Sequence, residues 1–332
     1  MKKKFKLNGD LLTAAVTALA FGIVGYLLYT GGLTRQISNM LIPISVYIVL
    51  AVSLNLVVGL LGELSLGHAG FMSAGLFSGC LVSIALVDYL PLAVRLPLSM
   101  VFGGIIAMVF GFVVGLPALR LKGDYLAIVT LACGEIIKNV ITNLEITGGA
   151  LGLNTVKIYS APKVLYPYAV VIVLLTSIVM MNLKKSKQGR AIMAIRDNRI
   201  AAESVGINVT RYKLTVFMIA AFFAGAAGTL YGHFFANVKA ASFDYNMSIE
   251  ILVIVVLGGM GSVPGSIVAA IVLTALPEAM REFADLRMLL YAIVLILVML
   301  TTNNPKIKEF VERIRPSARI KKLFAGRKEG KA

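Results

Sequence analysis

Residues 11–30 read LLTAAVTALAFGIVGYLLYT, an apolar run without a single charged side chain. About 20 such residues cross the hydrocarbon core of a bilayer as a helix. Further apolar segments follow, and none alternates apolar with polar residues as the strands of a membrane β-barrel do. The run therefore predicts a membrane helix and, with its successors, an all-α, polytopic transmembrane bundle. We expect this first helix to be retained, because no small-residue cleavage pattern precedes Arg35.

The composition points the same way. Of the 332 residues, 58% are hydrophobic and 14% are charged, whereas a typical soluble domain has about 25% charged residues. The net charge of +16 would indicate a nucleic-acid partner in a soluble protein. Here the cations concentrate in one loop and in the tail, so we expect contact with membrane lipid and none with nucleic acid.

The apolar segments predict about eight full spans and one broken helical hairpin. The hairpin is predicted at residues 247–277, and a transmembrane domain at 1–303 precedes a basic tail at 304–332. The full spans are predicted at residues 11–30, 39–60, 67–87, 96–119, 124–143, 163–183, 212–236 and 286–303.

The distribution of Lys and Arg predicts the orientation of the bundle. If residues 2–6 are cytosolic, six crossings place the loop 184–211 in the cytosol, and this loop with its flank at Lys213 carries eight cations. The tail carries ten more. Cytosolic loops are rich in Lys and Arg, so we expect both termini and the 184–211 loop on the cytosolic side of the membrane.

Two glycine-rich stretches interrupt the apolar segments at comparable places in the two halves of the chain. Residues 62–70 read GELSLGHAG and residues 258–265 read GGMGSVPG. Unwound backbone between half-helices can bind a transported substrate, although glycines also permit close helix packing. On the first interpretation these stretches line a translocation path, with Ser65, Gly67, His68, Gly258, Gly259 and Gly261 as candidate residues.

Two ionisable residues fall inside the predicted span 124–143. Glu135 and Lys138 are three residues apart and share a helix face. Charged groups at membrane depth usually face a cavity or a partner, so the two side chains either line the path or neutralise each other. For His68 we expect a capping role or a hydrogen bond to backbone in a broken helix, with a position on the path as the alternative.

Sequence signatures of enzymes and cofactor sites are missing. The chain has no GxxxxGK[ST] phosphate-binding loop, no HExxH, no CxxC and no GxSxG. His68 and His233 are its only histidines. We therefore expect no enzymatic activity, no cofactor and no metal site in this chain.

The loop 184–211 predicts two short helices. Ile192 and Ile195 share one face of the first, and Asn198 can cap a second helix that Gly206 ends. A basic amphipathic segment on anionic lipid would show a similar charge. Because acidic residues interrupt that charge and two alanines give a tightly packing face, the pattern favours a protein-docking surface.

Five stretches, in this order, resemble the membrane-spanning permeases of ABC importers for branched-chain amino acids, specifically the LivM type. Any one of them is weak evidence, but the ordered set covers most of the chain between about residues 40 and 300. The stretches are SLNLVVGLLGELSLGHAGFMSA at 53–74, LRLKGDYLAIVTL at 119–131, TGGALGL at 147–153, GRAIMAIRDNRIAAESVGIN at 189–208 and LGGMGSVPGSIVA at 257–269.

The resemblance implies a bacterial inner-membrane assembly that imports branched-chain or similar apolar amino acids. Its other members would be a second related permease, two cytosolic ATPase subunits and an extracytoplasmic substrate-binding protein. The ATPases would dock on a cytosolic loop with an EAA-xxx-G pattern, from which this chain departs because Ile200 replaces the Glu. The implied coupling residues are Gly189, Arg190, Arg196, Asp197, Ala201, Ala202, Glu203 and Gly206.

Two other kinds of transporter fit parts of the pattern. A ribose-type sugar permease of an ABC importer would share the small-residue clusters, but the wording of LSLGHAGF and LRLKGDYLAIVTL favours the amino-acid permeases. An ion-coupled secondary transporter could also use two broken helices, and it would work without an ATPase.

Overall fold

The computed structural model describes residues 9–118, 121, 123–279 and 296. The predicted span 286–303, the basic tail 304–332 and the lysines at 2–6 lie outside the described residues. By its contacts the chain divides into two units, 1–275 and 276–332. The first unit holds almost everything that is described, and the second contributes the end of the last described helix and Ile296.

The described part of the chain is built almost entirely of helices. Eleven α-helices follow one another, and a six-residue π-helix, Leu56–Leu61, continues α2. The helices are α1 Gly9–Thr30, α2 Arg35–Asn55, α3 His68–Ala85, α4 Leu92–Ala118, α5 Asp124–Asn143, α6 Pro162–Lys185, α7 Lys187–Asp197, α8 Arg199–Ser204, α9 Val209–Phe234, α10 Tyr245–Gly258 and α11 Val263–Ala279.

Local side-chain chemistry sets where several helices begin. Thr34, Asn208 and Asp244 precede α2, α9 and α10, and each accepts a hydrogen bond from a backbone N–H of the first turn. Such caps satisfy donors that would otherwise have no partner. Pro162 opens α6, where its missing N–H costs nothing.

The centre of the first unit is formed by α3, α4 and α9, which pack through small residues. An added Cβ on Gly75 would collide with the Cα of Gly225 on α9, and one on Gly70 would lie 2.7 Å from the Cα of Gly134 on α5. Helices in membranes associate through such close backbone contacts, because lipid tails supply no hydrophobic force between them. The polytopic all-α bundle predicted from the sequence is confirmed.

Among the described residues, seven helices are long and apolar enough to cross a membrane. The predicted break in the hairpin is present, since α10 ends at Gly258 and α11 begins at Val263. Gly259 and Gly261 within it have φ values of +91° and +79°. The first limb was predicted to be short. With the preceding turn it runs over Ala240–Gly258 and is one of the seven candidate spans.

The first unit has two chemically different ends. At one end lie the loop 184–211, the π-helix and the break at residues 259–262, which contact one another. At the other end the connecting segments form a two-stranded antiparallel sheet, Leu153–Asn154 with Asn237–Val238. This small sheet was not predicted from the sequence.

Candidate functional site

The loop 184–211 folds into two short helices joined at Asn198, as predicted. Ser186 caps α7 by accepting a hydrogen bond from the Gly189 N–H at 3.0 Å. Asn198 caps α8 in the same way through the Ala201 N–H, also at 3.0 Å. Helix α8 ends at Ser204 and Gly206 follows with φ +85°, a conformation that favours glycine.

This helix pair has one face against the bundle and one face free. Ile192, Ile195 and Ala202 are buried. Ile200 on α8 and Val205 directly after it are 80% and 75% exposed. The pair α7–α8 therefore presents an apolar tip with charged residues around it.

The charged coupling candidates are bonded mainly within the loop. Arg196 forms an ion pair with Asp197 at 2.9 Å, and Glu203 forms one with Arg199 at 3.0 Å. Arg190 donates to the Lys185 carbonyl at 3.2 Å. A cavity of about 550 Å³ lies beside them, between the end of α6, α7 and the start of α9. Its walls are both polar and apolar, and they include Gln188, Ile192, Asn208, Arg211 and Tyr212.

The first glycine-rich stretch lies against α5. The Leu66 N–H donates to the Thr130 hydroxyl at 3.0 Å, and a Cβ on Gly67 would lie 2.5 Å from the Thr130 carbonyl oxygen. Ser65 is buried, and its hydroxyl has no hydrogen-bond partner among the described residues. This stretch is thus packed backbone rather than an open loop.

His68 begins α3 and is fully buried. Its Nε2 lies 2.9 Å from the hydroxyl of buried Ser53 on α2. The sequence predicted a cap or a bond to backbone, and the partner present in the structure is a side-chain hydroxyl. The backbone N–H of Ala69 donates instead to the Ser248 hydroxyl at 3.2 Å, which joins the start of α3 to α10.

Glu135 and Lys138 form an ion pair on α5. Their side chains remain 26% and 18% exposed, and α5 is the least buried of the seven candidate spans. The second carboxylate oxygen of Glu135 accepts a hydrogen bond from the Tyr245 N–H at 2.9 Å. The pair therefore lies where the first turn of α10 meets α5.

The second glycine-rich stretch contacts the π-helix. A Cβ on Gly59 would lie 2.8 Å from the Cα of Gly261. Asn55, the last residue of α2, bonds to the same stretch. Asn55 was not predicted as a functional residue, although an Asn deep inside an apolar segment indicates a buried hydrogen-bonded group.

Among the described residues, no three His, Cys, Asp or Glu side chains come together in a way that could hold a metal ion. The functional features of the described part are thus a helix pair at one end and several interrupted helices that meet backbone to backbone. Interrupted helices at membrane depth are a recurrent feature of transport proteins.

Known proteins with similar sequences identify the family. The family model described as branched-chain amino acid transport system, permease component, matches residues 36–299. The chain belongs to this family. The family resemblance drawn from the ordered motifs is therefore confirmed, and the chain is a multi-pass membrane protein with several spanning helices.

Individual relatives carry the same description. The high-affinity branched-chain amino acid transport system permease proteins LivM of Salmonella typhimurium and of Escherichia coli are each 37% identical over an alignment of 290 residues that covers 77% of this chain. The chain spans 66% of the length of these relatives. The permease protein LivH of Escherichia coli is 30% identical over 125 residues, 36% of this chain and 40% of its own length. No solved structure gives a significant match.

Proposed function

We propose that this chain is one permease subunit of an ATP-driven importer for branched-chain or similar apolar amino acids. The observation that carries the proposal is the family match over residues 36–299. The sequence has no phosphate-binding loop of the GxxxxGK[ST] type, so ATP would be hydrolysed on separate cytosolic subunits. The proposal places the 184–211 loop and both termini in the cytosol.

The proposed docking site of the ATPase is the helix pair α7–α8. Its exposed Ile200 and Val205 give an apolar centre, and the charged residues around them give a polar rim. Interfaces between proteins commonly have this arrangement. The proposed coupling residues are those of the sequence prediction, with Ala202 and Gly206 shaping α8 and its end.

Co-purification tests the docking surface directly. Ile200→Asp places a charge at the centre of the apolar tip and should prevent ATPase capture by the tagged permease, as should Gly206→Asp at the helix end. Val156→Asp, at the opposite end of the bundle and 61% exposed, is the matched control. Normal capture by both loop variants, with normal membrane insertion, would refute the assignment.

A second permease is the proposed neighbour of α5. The ion pair Glu135–Lys138 is partly exposed within a spanning helix, and charged groups facing lipid are costly. A face with this pair is better suited to a second permease and a polar path between the two. The similarity to both LivM and LivH supports a heterodimer.

Cross-linking tests the position of the second permease. In a Cys133→Ser background, Ile128→Cys and Ile136→Cys on the exposed side of α5 should cross-link to the second permease. Val109→Cys on α4, also exposed, should not. The reverse pattern would place the partner elsewhere.

Substrate delivery would depend on an extracytoplasmic binding protein at the end opposite to the 184–211 loop. The names of the relatives support branched-chain amino acids as the cargo, and leucine is one of these. A binding assay on the partner binding protein, with leucine against ribose, separates this proposal from a sugar permease. Tight binding of ribose and none of leucine would contradict it.

A further inference from the structure

Two helix breaks, one from each half of the chain, meet at the end of the bundle that carries the 184–211 loop. The first is the π-helix Leu56–Leu61 with Gly62, whose φ is +77°. The second is the stretch at residues 259–262. A Cβ on Gly59 would collide with the backbone nitrogen of Gly261, so a side chain on Gly59 has no room there. The contact is therefore backbone against backbone.

The side-chain amide of Asn55 joins the two breaks through both its oxygen and its nitrogen. Its Oδ1 accepts from the Gly261 N–H at 2.7 Å. Its Nδ2 donates to the Ser262 carbonyl at 3.1 Å and to the Ser266 hydroxyl at 2.8 Å. Asn55 is buried, and unmade bonds of a buried amide are costly. A shift of the first break without the second would therefore break these bonds.

Two cations bond to the same breaks, namely Lys184 at the end of α6 and Arg196 at the end of α7. Arg196 donates from Nη1 to the Gly59 carbonyl at 3.2 Å, while Asp197 accepts from its other nitrogens. Lys184 donates from Nζ to the Gly261 carbonyl at 2.6 Å. A π-helix and an interrupted helix leave backbone carbonyls without their usual partners. Each break thus offers one carbonyl, and the loop supplies one cation to each.

The aliphatic part of the Arg196 side chain packs directly against Gly62. Its Cγ lies 2.5 Å from the position that a Cβ on Gly62 would take. Any residue other than glycine at position 62 would therefore push Arg196 away, besides being strained at a positive φ. Glycine at position 62 therefore leaves the space that the Arg196 side chain occupies.

We propose that Asn55, Lys184 and Arg196 form a link that transmits displacement of the α7–α8 pair to both helix breaks together. They are positioning residues for transport. The inference rests on the proposed function, in which an ATPase moves α7–α8. Charge-assisted bonds to carbonyls are stronger than neutral ones, and packed elements switch between discrete arrangements rather than deform gradually. The link turns movement of one loop into a concerted change in both halves.

The test compares uptake with ATP hydrolysis in proteoliposomes that contain the whole assembly. Lys184→Met and Arg196→Met each remove one bond to a break, and Asn55→Leu removes the tie between the breaks at nearly constant size. Leucine taken up per ATP hydrolysed should fall about 5-fold or more for each, from the loss of one charge-assisted or buried hydrogen bond. ATP hydrolysis should persist in the Lys184→Met and Asn55→Leu assemblies, whose altered residues are not among the proposed docking residues.

Matched variants distinguish a link that transmits movement from a contact that only stabilises the fold. Lys184→Arg keeps the donor and should regain most of the lost ratio. Lys163→Met, at the far end of α6, and Asn182→Ala, near the loop end of the same helix, are both at exposed positions and should retain the wild-type ratio.

Three outcomes decide the inference. A lower ratio with hydrolysis retained supports the link. An unchanged ratio, or uptake and hydrolysis that fall in proportion to the amount of assembled complex, overturns it. Because Lys184 lies at the surface, its variant remains informative even if Asn55→Leu fails to fold. A wild-type assembly without ATP-dependent uptake would instead refute the proposed function.

Discussion

The ion pair between Lys213 and Glu63 gives the sharpest prediction about stability. Lys213 lies in the first turns of α9, and Glu63 follows the π-helix. Their side chains are 3% and 15% exposed. Lys213→Met keeps most of the side-chain volume but removes the charge. Breaking a buried pair in this way costs about 3–5 kcal/mol, because the remaining charge stays buried without its partner.

The expected change in melting temperature follows from the size of the chain. An unfolding entropy of about 2.1 cal/mol/K per residue gives about 0.7 kcal/mol/K for a chain of this length. Lys213→Met should therefore melt about 4–7 °C below the wild type. Circular dichroism at 222 nm in detergent is the suitable assay, because the chain is helical and has no Trp for fluorescence.

A second variant makes the prediction refutable. Lys213→Met with Glu63→Gln removes both charges, and replacing both partners of a buried pair is often nearly neutral. The double variant should recover most of the lost melting temperature. A single variant that melts within about 1 °C of the wild type, or a double variant no better than the single, would contradict the reasoning from burial.

Three further predictions concern packing, the docking helix and the path. Gly70→Ala should destabilise the chain by about 1–3 kcal/mol, because its Cβ would collide with α5, whereas Gly22→Ala, with nothing within 4 Å, should be neutral or stabilising in the same thermal assay. Asn198→Ala removes the cap of α8 at a cost of about 1 kcal/mol, and titration with the ATPase should show weaker binding; unchanged affinity would mean that α8 needs no cap. If the Glu135–Lys138 pair lines the path, Glu135→Gln should lower uptake while the assembly stays intact. Uptake at the wild-type rate would mean that the two charges only neutralise each other.

Local features of the fold were predictable from the sequence. Asn198 and Gly206 mark the start and end of α8 because a cap and a left-handed residue act within one turn of the chain. Most of the spans followed from apolar length. The break before Val263 followed from the glycines at 258, 259 and 261.

Contacts between distant parts of the chain were not predictable. Asn55 meets Gly261 across 206 positions, and no local pattern fixes which break lies against which. The π-helix leaves no periodicity that differs from that of an α-helix over six residues. His68 could be expected to find a hydrogen-bond partner once buried, but only packing brings the Ser53 hydroxyl to it.

The central claim is that this permease works only when separate subunits supply ATP hydrolysis. The direct measurement is uptake of labelled leucine into proteoliposomes that contain this chain, the second permease, the ATPases and the binding protein. If the chain is a subunit of an ATP-driven importer, uptake should require ATP, stop when the ATPases are omitted and not extend to ribose. Leucine uptake by this chain alone, driven by an ion gradient without ATPases, would contradict it.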